Sequence, residues 1–296
     1  MQHRLSSSTI FGLAVMWFVG GGIYPFLSHA AKTIDPINIV FIRAWGAALI
    51  LFLAVLVLAP RSIKELRFDK SFIPIVISSL LYSPLCSMTL AWSSSRVPGA
   101  ITALIYSTLP AMSIIYIAIK GSRPSGTAIS GVVVASIAVI FLIGAPQGDV
   151  QIAGIIGALL STFAWFAATE IWIKYESGYP LILAIFLQVF IGAIGTTIVH
   201  FFSSAPSVSQ SDLTNPSMIF LVCALASQYW AYLGISRRVS PALLTSFAFV
   251  NPLVAGVIGF FAFGQRLGFI QLTAGAILLV GIYLVVRSET RLSPQQ

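Results

Sequence analysis

Hydrophobic positions in this chain fall into long unbroken runs, and the charged positions gather in the short turns between them. Ten runs reach the length a helix needs to cross a bilayer, about 20 residues. They are Ser8–His29, Asn38–Ala59, Phe72–Trp92, Gly99–Ile119, Gly126–Gly144, Ile152–Trp172, Leu181–Phe202, Ser217–Ile235, Ala242–Phe263 and Phe269–Val286. In hydrocarbon only helices and closed barrels satisfy the backbone. The short alternating segments of a barrel do not occur in these runs, so the pattern predicts helices. The first run ends Leu27-Ser28-His29-Ala30-Ala31, much as a signal-peptidase site would. The run from Thr9 to Ala30 nevertheless exceeds the apolar segment of a signal peptide, about 7–15 residues, and is read as a retained first helix.

The runs repeat. Arg96, Val97, Ala100 and Pro110 correspond at one offset to Arg238, Val239, Ala242 and Pro252. One residue of slippage later, Gly121 and Arg123 correspond to Gly264 and Arg266, and one more aligns Gly131 with Gly275. Five runs precede Asp149 and five follow. An odd number of crossings turns the second copy over, so the expected fold is an all-α integral membrane protein with ten transmembrane helices, built as two inverted five-helix repeats around a central cavity. The expected units are residues 1–147, residues 148–288 and a cytoplasmic tail, 289–296.

Composition agrees with this reading. Of 296 residues, 58% are hydrophobic and 8% charged, with mean hydropathy +0.97; a soluble domain carries about 25% charged residues. The net charge of +8 raises nucleic acid as a partner. The basic residues, however, form no stripe and alternate with no aromatic platform, which argues against it. Cys86 and Cys223 lie in apolar runs, and His3, His29 and His200 are scattered, so neither a disulfide framework nor a metal site is expected, and no cofactor. With the N-terminus inside, one side collects Arg4, Arg61, Lys64, Arg67, Lys70, Lys120, Arg123, Lys174, Arg237, Arg238, Arg287 and Arg291. The other keeps Lys32, Arg43, Arg96 and Arg266. The positive-inside rule then puts both termini in the cytoplasm. Ser203–Pro216, the longest loop on the outer side, reads as a flexible linker, and the end after Ser288 as a disordered tail.

Gly12 and Trp17 in the first run, Phe41-Ile42-Arg43-Ala44-Trp45 opening the second, and the two copies in their order resemble the drug/metabolite transporter superfamily, specifically its EamA-type ten-helix members. The resemblance spans nearly the whole chain. It implies a secondary carrier in the bacterial cytoplasmic (inner) membrane that moves a small-molecule substrate, with the bacterial aromatic amino acid exporters as the nearest type. Many members carry an acid in the turn between the last two helices of each half; here Ser122 and Gln265 stand there.

Three kinds of residue are candidates for function. Ionisable groups in a span are costly and functional by default. Arg43 would attract a substrate carboxylate or phosphate, or snorkel to outer headgroups and bond neighbouring carbonyls; its shallow place in the run favours the structural role. Its counterpart is Gln188. Glu170 precedes Lys174 by four residues, the order of a helical ion pair. Helix breakers come second: Gly20, Gly21 and Gly22 with Pro25 in the first run, Pro84 in the third, and Pro110 and Pro252 at matched positions. The third signal is a set of aromatic and amide residues at mid-span: Trp17, Tyr82, Tyr106, Trp165, Gln228, Tyr229 and Asn251. Interfaces are the usual place for Trp and Tyr, so a set at depth points to a polar cavity lined with rings. Each member alone fits packing equally well.

These observations lead to an exporter of small organic metabolites, amino acids including aromatic ones, working by alternating access in the lipid bilayer, possible as a monomer. A phosphorylated-metabolite or nucleotide-sugar antiporter needs more basic groups than Arg43. A membrane enzyme needs a catalytic cluster that the runs lack, and a scaffold has no need of matched breakers. Reporter fusions after Lys64 and Arg123 should read cytoplasm, and fusions after Lys32 and Asp149 the outside. A cytoplasmic signal after Asp149 would make the halves parallel.

Overall fold

A computed structural model describes residues 7–121, 123–144, 151–175, 178–236 and 247–292. These residues are helical with connecting turns, and no strand occurs among them. The long helices are α1 (Ser7–Ala30), α2 (Pro36–Leu58), α3 (Phe72–Ser94), α4 (Gly99–Tyr106 continued by Leu109–Ile119) and α5 (Gly126–Gly144). After them come α6 (Ile152–Lys174), α7 (Leu181–Phe202), α8 (Pro216–Ile235), α9 (Phe247–Phe263) and α10 (Phe269–Leu292). Seven of them are long and apolar enough by themselves to cross a membrane, and α5, α9 and α10 contribute shorter apolar stretches.

Local chemistry sets the boundaries. Asp35 accepts the Ile37 N–H at 2.8 Å ahead of Pro36, and Asn215 accepts the Ser217 N–H at 2.9 Å ahead of Pro216. A side-chain cap followed by proline is a strong helix start. α4 and α9 finish at Gly121 (φ +88°) and Gly264 (φ +63°), the left-handed conformation that glycine adopts without strain. These two glycines are counterparts in the repeat.

The packing follows the duplication. α2 lies on α7, α4 on α9 and α5 on α10; α3 lies on α6 and α7, and α8 on α1 and α2. Exchanging each helix with the one five places along returns most of this pattern, as two inverted repeats about a pseudo-two-fold axis require. The axial pair is the tightest. A Cβ on Gly281 of α10 would stand 2.6 Å from Ala135 N and 2.9 Å from Gly131 O of α5, so the two backbones touch. Small residues do this in membrane bundles, where lipid supplies no hydrophobic drive between helices. Phe201, Phe202, Phe261 and Phe269, each about 80% exposed, form part of the apolar exterior.

Three expectations are corrected. Gly20, Gly21 and Gly22 do not break α1: a π-helical turn at Val15–Val19 precedes them, and the helix continues through Pro25. The glycines instead pack, Gly21 on Val254 and Asn251 of α9 and Gly22 on Phe220 of α8. The loop after α7 is not a loose linker. Its Pro206 carbonyl accepts from Asn38 Nδ2 at 3.0 Å, and a capping box between Ser209 and Asp212 starts a short helix, Gln210–Thr214. α10 runs to Leu292, four residues beyond Ser288, so part of the expected tail is helix. Residues 242–246, the expected start of α9, and Arg237, Arg238, Asp149 and Ser122 lie outside the described residues.

Gly281→Leu should force α5 and α10 apart at a cost of about 1–3 kcal/mol. The check is a lower melting temperature of the detergent-purified protein. Gly126→Leu is the control, because a Cβ there meets nothing within 4 Å.

Candidate functional site

Two π turns shape the middle of the molecule. A π turn shifts the i→i−4 ladder and leaves carbonyls that need other donors; such turns recur at functional sites. The first is Val15–Val19 in α1. With the Asn251 amide nitrogen turned toward it, α9 donates to Met16 O and Trp17 O, both at 3.0 Å. The second, Leu81–Ser87 in α3, contains Pro84, which has no N–H to give. Here hydroxyls serve: Ser87 Oγ donates to Tyr82 O at 3.1 Å and Ser161 Oγ of α6 to Cys86 O at 2.7 Å. α4 breaks at Ser107 and Thr108, and Pro110 sits in the first turn after the break. Pro252 lies inside α9, next to the Asn251 that ties down α1.

Between these turns is a small cavity of about 30 Å³, lined by Gly20, Ile23, Tyr24, Arg43, Cys86, Ser87, Leu90, Tyr106, Trp165, Leu225, Gln228 and Phe247. A water needs about 10–15 Å³ by this measure, so the space suits one or two waters or the head of a solute. Its rings continue one another. Tyr24 meets Tyr106 at 5.5 Å between centroids, Tyr106 meets Trp165 at 6.5 Å, and Trp165 meets Tyr82, Tyr229 and Tyr232 at 4.7, 6.2 and 5.4 Å. These edge-on and tilted contacts are favourable for aromatic pairs. A polar thread joins α3, α4 and α6: Tyr106 OH bonds Ser161 Oγ and lies 3.2 Å from Cys86 Sγ.

The expected site residues divide into three groups. Tyr106, Trp165, Gln228, Gly20 and Arg43 line the cavity. Tyr82 and Tyr229 form the layer behind it. Tyr82 is 1% exposed and its hydroxyl bonds Thr169 Oγ1 at 2.7 Å. Asn251 faces the α1 carbonyls, while Gly21, Pro25 and the half-buried Trp17 support the wall rather than line it. Sequence reasoning missed Tyr24, Cys86, Ser87 and Phe247. Tyr24 had a signal, since it follows the glycines by two residues. Cys86 and Ser87 follow from Pro84 only once the π turn is known.

Two charged residues depart from expectation. Arg43 does not snorkel: it is 3% exposed, points inward, and its Nε and Nη1 have no hydrogen-bond partner. Glu170 is half-buried and forms no ion pair with Lys174, whose ammonium lies over the Tyr175 ring at 5.0 Å. An ion pair joins Arg67 and Asp69 at 3.1 Å in the α2–α3 loop.

One side of the cavity is sealed. A Cβ on Gly99 would be 2.5 Å from the Tyr24 carbonyl, so the start of α4 rests on the backbone of α1. Ser28 Oγ donates to Val97 O at 3.4 Å, and Gln265 Oε1 accepts the Gly99 N–H at 3.2 Å. By symmetry α9 would rest on α6. The start of α9 that would do so, residues 237–246, lies outside the described residues.

Asn251→Ala should remove both donors to α1. Two buried carbonyls left unmatched cost about 1–3 kcal/mol each, so the variant should melt well below the wild type. Asn251→Asp, which offers no N–H when ionised, should do the same, while Asn251→Gln should fall between. An unchanged melting curve for Asn251→Ala would mean that the amide does not hold the π turn.

Comparison with known proteins agrees with this geometry. No curated protein matches the sequence. A solved protein crystal structure is similar over 95% of this chain and 98% of its own, with TM-score 0.67 at 14% identity, and so shares the fold. Residues 7–144, which span α1 to α5, match the EamA-like transporter family. The first five helices therefore carry an EamA-like transporter domain.

Proposed function

We propose that this protein is an exporter of small organic metabolites, amino acids including aromatic ones, in the bacterial inner membrane, with both termini in the cytoplasm. It works by alternating access: residues 1–147 and 148–288 form the two halves that move against each other, and the cavity between them is the solute site. The observation that carries the reading is the cavity itself. It lies where helices of both halves meet, next to both π turns, and it is walled by Tyr24, Tyr106 and Trp165. Discontinuous helices around a central site are how secondary transporters expose backbone to a solute. The rings favour planar or cationic parts of a solute, by stacking or cation–π attraction worth about 0.5–1.5 kcal/mol per contact.

The volume of about 30 Å³ supports a closed form. An amino acid would need the halves to part. α1 and α4 make the sealed side. A monomer suffices, since the cavity is complete within one chain. No carboxylate lines it, which supports facilitated transport without obligatory proton exchange.

The test is counterflow in proteoliposomes. Labelled phenylalanine and alanine should enter vesicles preloaded with the same amino acid, saturably and without a pH gradient. Trp165→Ala should raise the apparent KM for phenylalanine by roughly 2- to 13-fold, and more than for alanine. Absence of saturable flux for an amino-acid panel would exclude the substrate class.

A further inference from the structure

Arg43 is the one charged residue among the described residues of the cavity wall. Two of its nitrogens, Nε and Nη1, are buried without an acceptor. A buried cation with unmatched donors is costly, because water has been removed and nothing replaces it. Structural arginines avoid this by bonding carbonyls of a neighbouring helix or by reaching an interface. Arg43 does neither of these through Nε or Nη1. Donors that converge on a space and lack acceptors in the protein define what the space would accept.

We infer that Arg43, beside the Trp165 ring, forms a binding site for a single carboxylate, the charged end of the transported solute. This rests on the proposed transport function. Three features set the class. A single lining cation balances one negative charge, which favours a carboxylate over a phosphate dianion. A guanidinium is planar and matches a carboxylate in shape as well as charge. The cavity of about 30 Å³ admits a head of that size but not a solute's body. The body would then lie along Tyr24 and Tyr106 once the halves separate. Gln188, the counterpart of Arg43 in the second half, does not share the role: its Oε1 accepts from Ser78 Oγ at 2.9 Å, and it is absent from the cavity wall.

The experiment is a thermal melt of the detergent-purified protein with four probes: benzoate, benzamide, phenyl phosphate and chloride. Wild type should be stabilised by benzoate at about 10- to 100-fold lower concentration than by benzamide, the range expected for a charge-assisted hydrogen bond. Phenyl phosphate and chloride should act more weakly than benzoate. In Arg43→Gln the difference between benzoate and benzamide should vanish. Without any probe, Arg43→Met should melt above wild type, because it removes an uncompensated charge; a structural arginine would make the same variant melt lower. Equal stabilisation of wild type by benzoate and benzamide would overturn the site, as would equal stabilisation by chloride, and that comparison needs no variant to fold. Benzoate discrimination without amino-acid flux would refute the transport reading and keep the carboxylate site. Flux indifferent to the carboxylate would do the reverse.

Discussion

Everything in the centre of this protein depends on giving hydrogen bonds to backbone carbonyls that helices alone leave unmatched. In hydrocarbon an unmatched backbone group costs several kcal/mol, so a π turn persists only where another element supplies donors. α1 is held by Asn251 of α9, which comes from the other half of the chain. α3 is held by its own Ser87 and by Ser161 of α6, again from the other half. The two halves are therefore joined at the points where each is irregular. Those same points border the cavity, which makes helix continuity and site shape one problem rather than two.

Much of this was legible in the sequence, because the signals involved are compositional or periodic. Apolar run length gave the helices, and the Pro110/Pro252 and Gly121/Gly264 pairs gave the duplication. Aromatic and amide residues at mid-span pointed to the middle of the bundle, where Tyr106, Trp165 and Gln228 now line a cavity. What was not legible was direction around each helix. Depth along α2 can be counted, but whether Arg43 points to lipid or inward depends on rotation, and α2 is apolar on every side. Three successive glycines read equally as a break or as a close approach. The choice was made by α8 and α9, whose side chains fill the space beside them. Glu170 and Lys174 have ion-pair spacing, yet the lysine instead lies over Tyr175, at the end of α6.

Gln265 links the site to the turn between α9 and α10. The family resemblance implies an acid there in many relatives. Here a neutral amide does a comparable job: its oxygen accepts from Gly99 N at the start of α4, where a helix presents unpaired N–H groups and a partial positive charge. A carboxylate would bind that end more strongly and with pH dependence. An amide binds it more weakly and independently of pH.

The closed face of the cavity follows from close backbone approach. α4 rests on α1, backbone against backbone at Gly99, and Gln265 accepts the Gly99 N–H there. α5 and α10 meet in the same way at Gly281, where a side chain would collide with the backbone of Gly131 and Ala135. Lipid supplies no hydrophobic drive between helices, so contacts of this kind hold the bundle by close packing rather than by burial from water.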